Sequence, residues 1–211
     1  MRYKAIIFDL DGVICYTDKY HYLSWKKIAN ELGVNFDEQL NNSLRGVSRF
    51  ESLDIILTTY QGELSNEEKL YYADKKNSIY RKFLEGMTAK DIAPQVKDTM
   101  DKIREKGLKL AIGSSSKNTK YILKQLDLEN YFDAISDGNN IVKSKPDPEV
   151  FLKASEFLGI DPQYCLVVED AKSGIYAALA ASMDCAAIGD GTKYNIANYN
   201  LDNFSDLLNI I

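Results

Sequence analysis

The chain has 211 residues, 45% of them hydrophobic and 27% charged, and its 31 acidic side chains against 26 Lys and Arg give a net charge of -5. This length predicts one domain, or one domain carrying an insertion. Because Lys and Arg form no basic stripe, the charge pattern disfavours a nucleic-acid partner. The apolar runs are far shorter than the ~18 residues that a membrane span requires, and the three widely spaced cysteines (Cys15, Cys165 and Cys185) favour reduced thiols in a cytoplasmic protein over a disulfide framework.

Short apolar runs recur along the chain and predict buried β-strands. The first covers residues 4–10 and breaks at Asp11-Gly12, and it begins so close to Met1 that we expect no signal peptide before it. Four further runs lie at 108–113, 131–136, 165–168 and 185–188. Helical patterns alternate with these later runs, and that order predicts an α/β fold with an open parallel sheet.

Residues 17–87 differ from the rest, because they contain helical patterns and no strand-like run. Ser65-x-x-Glu68 is a capping box that predicts the start of a long helix. An all-helical insert after the first strand is typical of a cap domain. We therefore predict an α/β core made of residues 1–16 and 88–211, with a helical cap at 17–87. The Asn-rich tail has no predicted function and closes with a short predicted helix at 204–211.

Polar side chains follow four of the predicted strands, at the edge where open α/β sheets place their sites. They are Asp9 and Asp11 after the first strand, Ser114 to Asn118 after the second, Lys145 after the third, and Glu169 with Asp170 after the fourth. A single Asp after a strand is usually a turn residue or a helix cap. Four coincident positions favour a functional site instead.

This set of residues suits phosphoryl transfer. Asp9 and Asp11 are two apart on an extended backbone and point to the same side, and with the two acids after the fourth strand they supply the hard oxygen ligands that Mg²⁺ prefers. Asp9 can attack phosphorus to form an aspartyl-phosphate. Asp11, whose pKa rises within a carboxylate cluster, can act as general acid and base. Ser114 and Lys145 would hold the phosphoryl oxygens.

The order and spacing of these segments resemble the four motifs of the haloacid dehalogenase superfamily over nearly the whole chain. The matching segments are Phe8-Asp-Leu-Asp-Gly-Val, Ser114, Lys145-Pro146, and Val168-Glu-Asp with Gly174. Segments 17–25, 44–49 and 75–77 of the insert are similar to the β-phosphoglucomutase family. The resemblance implies a Rossmann-like core with a helical cap, and an enzyme that interconverts β-D-glucose 1-phosphate and glucose 6-phosphate through an aspartyl-phosphate and β-glucose 1,6-bisphosphate.

The same resemblance implies a role for each matching residue. Asp9 would be the phosphorylated nucleophile, Asp11 the general acid and base, and His21 a residue that couples the protonation of Asp11 to cap closure, while Ser114 and Lys145 would hold the transferring phosphoryl group. Mg²⁺ would be held by the Asp9 carboxylate, the Asp11 carbonyl, Glu169 and Asp170. The implied substrate-binding residues are Thr17, Trp25, Leu44, Gly46, Val47, Ser48, Arg49, Ser52, Lys76, Ser115, Ser116, Lys117 and Asn118. Of these, Arg49 and residues 116–118 would grip the distal phosphate.

Two positions depart from the family pattern: Tyr16 stands where the superfamily usually has Asp, and Ser115 stands where the mutases have Ala. A plainer interpretation is also open for the insert, in which Trp25 packs in the cap and Arg49 and Lys76 lie on solvated faces.

The alternative function is a sugar-phosphate or phosphoglycolate-like phosphatase, in which water completes the reaction. A catalytically silent binding protein is disfavoured because all motif residues are present. We expect a small sugar phosphate as partner, no nucleic acid or membrane, and a monomer.

Overall fold

The structure, a computed structural model, describes residues 2–211, so position 1 of the predicted core lies outside it. Within that range the strands are β1 (Ala5–Phe8), β2 (Lys109–Gly113), β3 (Ala134–Ser136), β4 (Cys165–Glu169), β5 (Asp184–Ile188) and β6 (Tyr199–Leu201). The helices are α1 (Asp18–Glu31), α2 (Glu38–Asn42), α3 (Arg49–Leu57), α4 (Asn66–Leu84), α5 (Pro94–Glu105), α6 (Thr119–Gln125), α7 (Glu149–Leu158) and α8 (Lys172–Ala180). Short 3₁₀ helices lie at Ala89–Asp91, Pro162–Tyr164, Gly189–Tyr194 and Phe204–Asn209.

The six strands form one parallel sheet in the order β3-β2-β1-β4-β5-β6, which confirms the predicted α/β class. β1 lies between β2 and β4, with Phe8 beside Ile112 and Val168. The strand order reverses at β1, and in open α/β sheets ligands bind at such a reversal, outside the carboxyl ends of the strands. Asp9, the residue after β1, therefore emerges where the fold places its site.

Both faces of the sheet are buried. Ile6 and Phe8 of β1 pack with α5, α6 and the C-terminal 3₁₀ helix, while Ala5 and Ile7 pack on the other face with α7 and α8. Strands that are buried on both faces have near-continuous apolar sequences. This explains why the apolar runs that form β1, β2, β4 and β5 were recognisable without alternation.

Helices α1 to α4 form a separate hydrophobic cluster that includes Trp25, Ile28, Leu53 and Ile56. The predicted capping box is present, because the Ser65 hydroxyl accepts from the Glu68 amide and the Glu68 carboxylate accepts from the Ser65 amide. α1 packs against α4, and the last turn of α4 joins the core of the sheet. The stretch is helical as expected, and its division from the core as a cap domain stays a prediction.

Two details of the tail differ from the sequence expectation. The short edge strand β6 was not predicted, because its Tyr-Asn-Leu sequence is too brief to show a pattern. The final segment forms a 3₁₀ helix over Phe204–Asn209, capped by Asn203 and Asp206. The three cysteines are free and buried, and within residues 2–211 no helix combines the length and the apolar character that crossing a bilayer requires.

Candidate active site

A cavity of about 420 Å³ lies between the carboxyl edge of the sheet and the helices of the insert. Most of the residues predicted from the sequence line it. They are Asp9, Asp11, His21, Trp25, Leu44, Gly46, Val47, Ser48, Arg49, Ser52, Lys76, Ser114, Ser115, Ser116, Lys117, Asn118, Glu169 and Asp170. Thr17 and Lys145 do not line the cavity and lie behind the carboxylates that do.

Lys145 contacts two of those carboxylates, Asp9 and Glu169, on the side away from the cavity. Its Nζ lies 2.5 Å from Asp9 Oδ1 and 2.5 Å from Glu169 Oε1, and its side chain is 1% exposed. Burial opposes the positive charge, but the two carboxylates outweigh it and raise the pKa of Lys145 above its ordinary value. Glu169 Oε2 in turn accepts hydrogen bonds of 2.9 Å from the amides of Asp170 and Ala171. Lys145 is therefore held between two carboxylates that favour its charged form.

Asp9, Glu169 and Asp170 form a buried carboxylate cluster, and each can offer one oxygen within 4.8 Å of the others. Hard oxygen donors at this spacing fit Mg²⁺. Burial, together with the charges of Glu169 and Asp9, raises the pKa of Asp170 well above its ordinary value, so the cluster favours a compensating cation. Gly12 and Gly174 make room for the carboxylates. A Cβ at Gly12 would collide with the carboxyl group of Asp170, and a Cβ at Gly174 with that of Glu169.

Asp11 lies beside the cluster and is held by a hydrogen-bonded chain. Thr17 Oγ1 donates to Asp11 Oδ1, and Tyr80 Oη donates to Thr17 Oγ1 over 3.0 Å. Although Asp11 is partly open to the cavity, desolvation and the neighbouring charge of Asp9 raise its pKa to about 7. Thr17, predicted as a substrate contact, donates to the Asp11 carboxyl group and does not line the cavity.

On the opposite wall, His21 and Lys76 contact each other. Lys76 Nζ lies 2.8 Å from His21 Nδ1, and also 4.5 Å and 5.1 Å from the ring centroids of Tyr80 and Trp25. Lys76 is 3% exposed, and burial with the nearby charge of Arg49 lowers its pKa to about 7. Burial and the charge of Lys76 likewise lower the pKa of His21 well below its usual range. Lys76 therefore points inward, as the family resemblance implied.

Two of the residues predicted to bind a distal phosphate, Arg49 and Asn118, make polar contacts with neighbouring residues of α4. Arg49 Nη1 lies 3.4 Å from Asp74 Oδ1 and 3.3 Å from the Ala73 carbonyl oxygen. Asn118 donates from Nδ2 to Asn77 Oδ1 over 2.9 Å. These contacts leave the remaining Arg49 nitrogens available and orient the amide of Asn118.

Arg45 is a site residue that the sequence reasoning missed. Its Nη2 contacts Asp170 and lies 2.9 Å from Asp18 Oδ2, while its Nη1 lies 2.8 Å from Asp190 Oδ2. The available signal was its position between two predicted site residues, Leu44 and Gly46. An Arg in a polar segment is more often on a solvated face, and only the folded chain brings the three aspartates to it.

A second contact joins the insert to the core beside Lys145. The Ser48 amide donates to Ser144 Oγ over 3.2 Å, and the Ser144 hydroxyl donates to Glu51. Ser48 and Glu51 also form the capping box at the start of α3. Ser48, predicted as a substrate contact, thus also connects the start of α3 to the core.

Comparisons with known proteins show the family of this chain. A model of the haloacid dehalogenase-like hydrolase family matches residues 6–188. A β-phosphoglucomutase from Bacillus subtilis is 37% identical over 206 residues, which cover 97% of this chain and 91% of that protein. A phosphorylated carbohydrates phosphatase from Thermotoga maritima is 32% identical over 185 residues, 86% and 82% of the two chains. The crystal structure of a β-phosphoglucomutase from Clostridium difficile matches with a TM-score of 0.92 and 37% identity, covering 97% of this chain and 93% of that one. Because the family model matches most of the chain and these relatives match nearly all of it, the chain belongs to the haloacid dehalogenase-like hydrolase family.

Proposed function

We propose that this protein is a sugar phosphomutase of the β-phosphoglucomutase type, which interconverts β-D-glucose 1-phosphate and glucose 6-phosphate through an aspartyl-phosphate and β-glucose 1,6-bisphosphate. One observation carries the proposal: a single cavity contains Asp9 and Asp11 together with two basic side chains of the insert, Arg49 and Lys76. A mutase must hold two phosphates of one sugar, one at the nucleophile and one elsewhere. A phosphatase requires only the first of these sites.

Asp9 is the nucleophile in this proposal. Its carboxylate oxygen attacks the phosphorus of the bisphosphate, and the bond between phosphorus and the sugar oxygen breaks as the aspartyl-phosphate forms. Ser114 and Lys145 hold the phosphoryl oxygens, and Lys145 already contacts Asp9 over 2.5 Å. Mg²⁺, held by Asp9, Glu169, Asp170 and the Asp11 carbonyl, would offset the charge of the phosphoryl group.

Asp11 moves the proton. It protonates the sugar oxygen that leaves phosphorus and removes the proton from the hydroxyl that attacks in the return step. A pKa of about 7 suits both tasks near neutral pH, because each protonation state is well populated. The hydrogen-bonded chain from Tyr80 through Thr17 keeps the carboxyl group oriented.

The insert contributes Arg49 to the second phosphate site, the core contributes Ser116 and Asn118, and the insert also excludes water. Arg49, Ser116 and Asn118 would bind the distal phosphate, since a guanidinium group and short hydrogen-bond donors suit its oxygens. Contacts at Ser48 and Arg45 hold the insert against the core, which supports a closed cavity during transfer. A closed cavity favours a sugar hydroxyl over water as the acceptor.

The second candidate is a sugar-phosphate phosphatase with the same Asp9 chemistry. The similarity to the Thermotoga maritima phosphatase at 32% identity favours it. In that case water, activated by Asp11, would hydrolyse the aspartyl-phosphate. The two candidates differ only in which nucleophile reaches phosphorus in the second step.

The deciding experiment follows glucose 6-phosphate and free phosphate together, with Mg²⁺, β-glucose 1-phosphate and a trace of β-glucose 1,6-bisphosphate. We expect glucose 6-phosphate to form only with the bisphosphate present, and both products to vanish in Asp9→Asn. Asp202→Asn, the same change at an exposed residue of the tail, is the matched control. Free phosphate without glucose 6-phosphate would identify a phosphatase and overturn the proposal.

A further inference from the structure

We propose that Arg45 competes with the divalent cation for Asp170, and that Asp190 and Asp18 hold the guanidinium group when the cation takes Asp170. Arg45 is thereby a positioning residue that sets the affinity of the metal site. The inference rests on the proposed function in one respect, because it takes Asp170 as a metal ligand.

Arg45 contacts one buried carboxylate and two exposed ones. The Asp170 side chain is 5% exposed, whereas those of Asp18 and Asp190 are 44% and 49% exposed. Contacts to exposed carboxylates contribute little individually, so they hold the guanidinium without locking it. The contact with buried Asp170 is the one that bears on a metal ion, because it occupies an oxygen of a cluster carboxylate.

The charges of the cluster lead to the same conclusion. The carboxylates of Asp9, Glu169 and Asp170 with the cations of Lys145 and Arg45 leave a net charge of about -1, which is poorly matched to a divalent ion. When Arg45 leaves Asp170, the remaining groups carry about -2, which matches the ion. Lys145 does not have this freedom, because it is 1% exposed and already bonded to two carboxylates.

The backbone around Arg45 lets the side chain move while its anchor stays fixed. The Ser173 hydroxyl donates to the Arg45 carbonyl oxygen over 3.0 Å. Gly46 approaches Ser173 so closely that a Cβ there would collide with its hydroxyl, and its φ of +79° favours glycine. With the chain held on α8, rotation of the Arg45 side chain is enough to release Asp170 while it keeps Asp190.

The test measures metal binding without any reaction. Isothermal titration with Mn²⁺, repeated with Mg²⁺, gives Kd for the wild type and for the variants Arg45→Met, Asp190→Asn and both together. We expect Arg45→Met to bind metal about tenfold more tightly, because the competing charge is gone. We expect Asp190→Asn to bind about threefold more weakly, because the guanidinium group loses its alternative partner and stays on Asp170. In the Arg45→Met background the Asp190 change should have an effect of less than about twofold.

Three further variants separate the possible explanations. Arg45→Lys keeps the charge and should bind metal as the wild type does. If Arg45→Met fails to fold, Asp190→Asn still tests the proposal, because unchanged metal binding in that variant would overturn it. Arg2→Met removes an exposed guanidinium that pairs with Asp184 and should leave Kd unchanged. Asp170→Asn should abolish binding, and if it does not, the assignment of the metal site in the proposed function is wrong. If Asp170→Asn loses metal binding but Arg45→Met binds metal with unchanged or weaker affinity, the proposed role of Arg45 is wrong and the metal site itself stands.

Discussion

Two buried lysines, one in the core and one in the insert, have the same side chain and opposite electrostatics. Lys145 is 1% exposed and lies 2.5 Å from carboxylate oxygens of Asp9 and Glu169, which raise its pKa. Lys76 is 3% exposed and contacts the imidazole of His21 and two aromatic rings, and its pKa falls to about 7. Burial is nearly the same at the two positions, so the partners decide the charge.

The difference corresponds to the two tasks of the proposed mechanism. Lys145 is a cation before substrate arrives and stabilises the carboxylates that surround the nucleophile. Lys76 shares its surroundings with Arg49 instead, and an arriving phosphate would supply the missing anion and restore its charge. A lysine held in this way lowers the stability of the fold, and such a cost is tolerated at functional sites. Changing each lysine to methionine should therefore change the unfolding free energy in opposite directions.

The largest effect is expected for Lys145→Met. The substitution leaves the carboxylates of Asp9 and Glu169 buried without their cation, and breaking a buried pair in this way costs about 3 kcal/mol of unfolding free energy. Urea denaturation in EDTA, followed by circular dichroism, measures it. Lys143→Met, two residues away with a 72% exposed side chain, should change the free energy by less than about 0.5 kcal/mol. A loss below about 1 kcal/mol in Lys145→Met would mean that the carboxylates do not depend on this cation.

The opposite sign is expected for Lys76→Met. Methionine fills similar space among the rings of Trp25 and Tyr80 and carries no charge to desolvate, so the unfolding free energy should rise by about 2 kcal/mol at pH 7. The neighbour Lys75 pairs with Glu31 at the surface over 2.6 Å, and Lys75→Met is the matched control, with a change within about 0.5 kcal/mol. A destabilised Lys76→Met would show that the hydrogen bond to His21 outweighs desolvation.

The pH dependence of stability sharpens the same contrast. The pKa of Lys76 is about 7 in the fold against an ordinary 10.5, so the unfolded chain binds more protons between these values and wild-type stability gains with rising pH. The advantage of Lys76→Met should therefore be full below pH 7 and shrink between pH 7 and 9. Lys145 has a raised pKa and stays charged over that range, so the loss of its own titration should add no pH slope to the deficit of Lys145→Met. Parallel urea titrations at pH 7, 8 and 9 test both slopes, and equal slopes would remove the distinction.

The sequence predicted the core side of the site better than the insert side. Asp9, Ser114 and Asp170 directly follow buried strands, and parallel strands bring their carboxyl ends to one edge, so local pattern and topology together locate these residues. Strand β6 escaped prediction because three residues at an edge give no periodic signal.

The insert side depends on contacts between residues far apart in the chain. Lys75 and Lys76 are adjacent, and only packing against α1 decides that Lys76 points inward; the family resemblance supplied that choice, and no pattern in the sequence did. Arg45 meets Asp170 across 125 residues of separation. Neither its neighbours nor its own chemistry indicate such a contact, so its role required the folded chain.

The smallest effect is expected for Tyr80→Phe, which separates the ring of Tyr80 from its hydroxyl. The ring lies 4.5 Å from Lys76 Nζ and stays in the variant, whereas the hydrogen bond of 3.0 Å to Thr17 Oγ1 is lost. Losing one buried hydrogen bond should lower the unfolding free energy by about 1 kcal/mol. In the Tyr80→Phe background, the pH slope that Lys76→Met removes should be the same as in the wild type, because the surroundings of Lys76 keep their ring and lose only a group that points toward Asp11. If that slope changed, the lowered pKa of Lys76 would depend on the hydroxyl chain, and the two walls of the cavity would titrate as one unit.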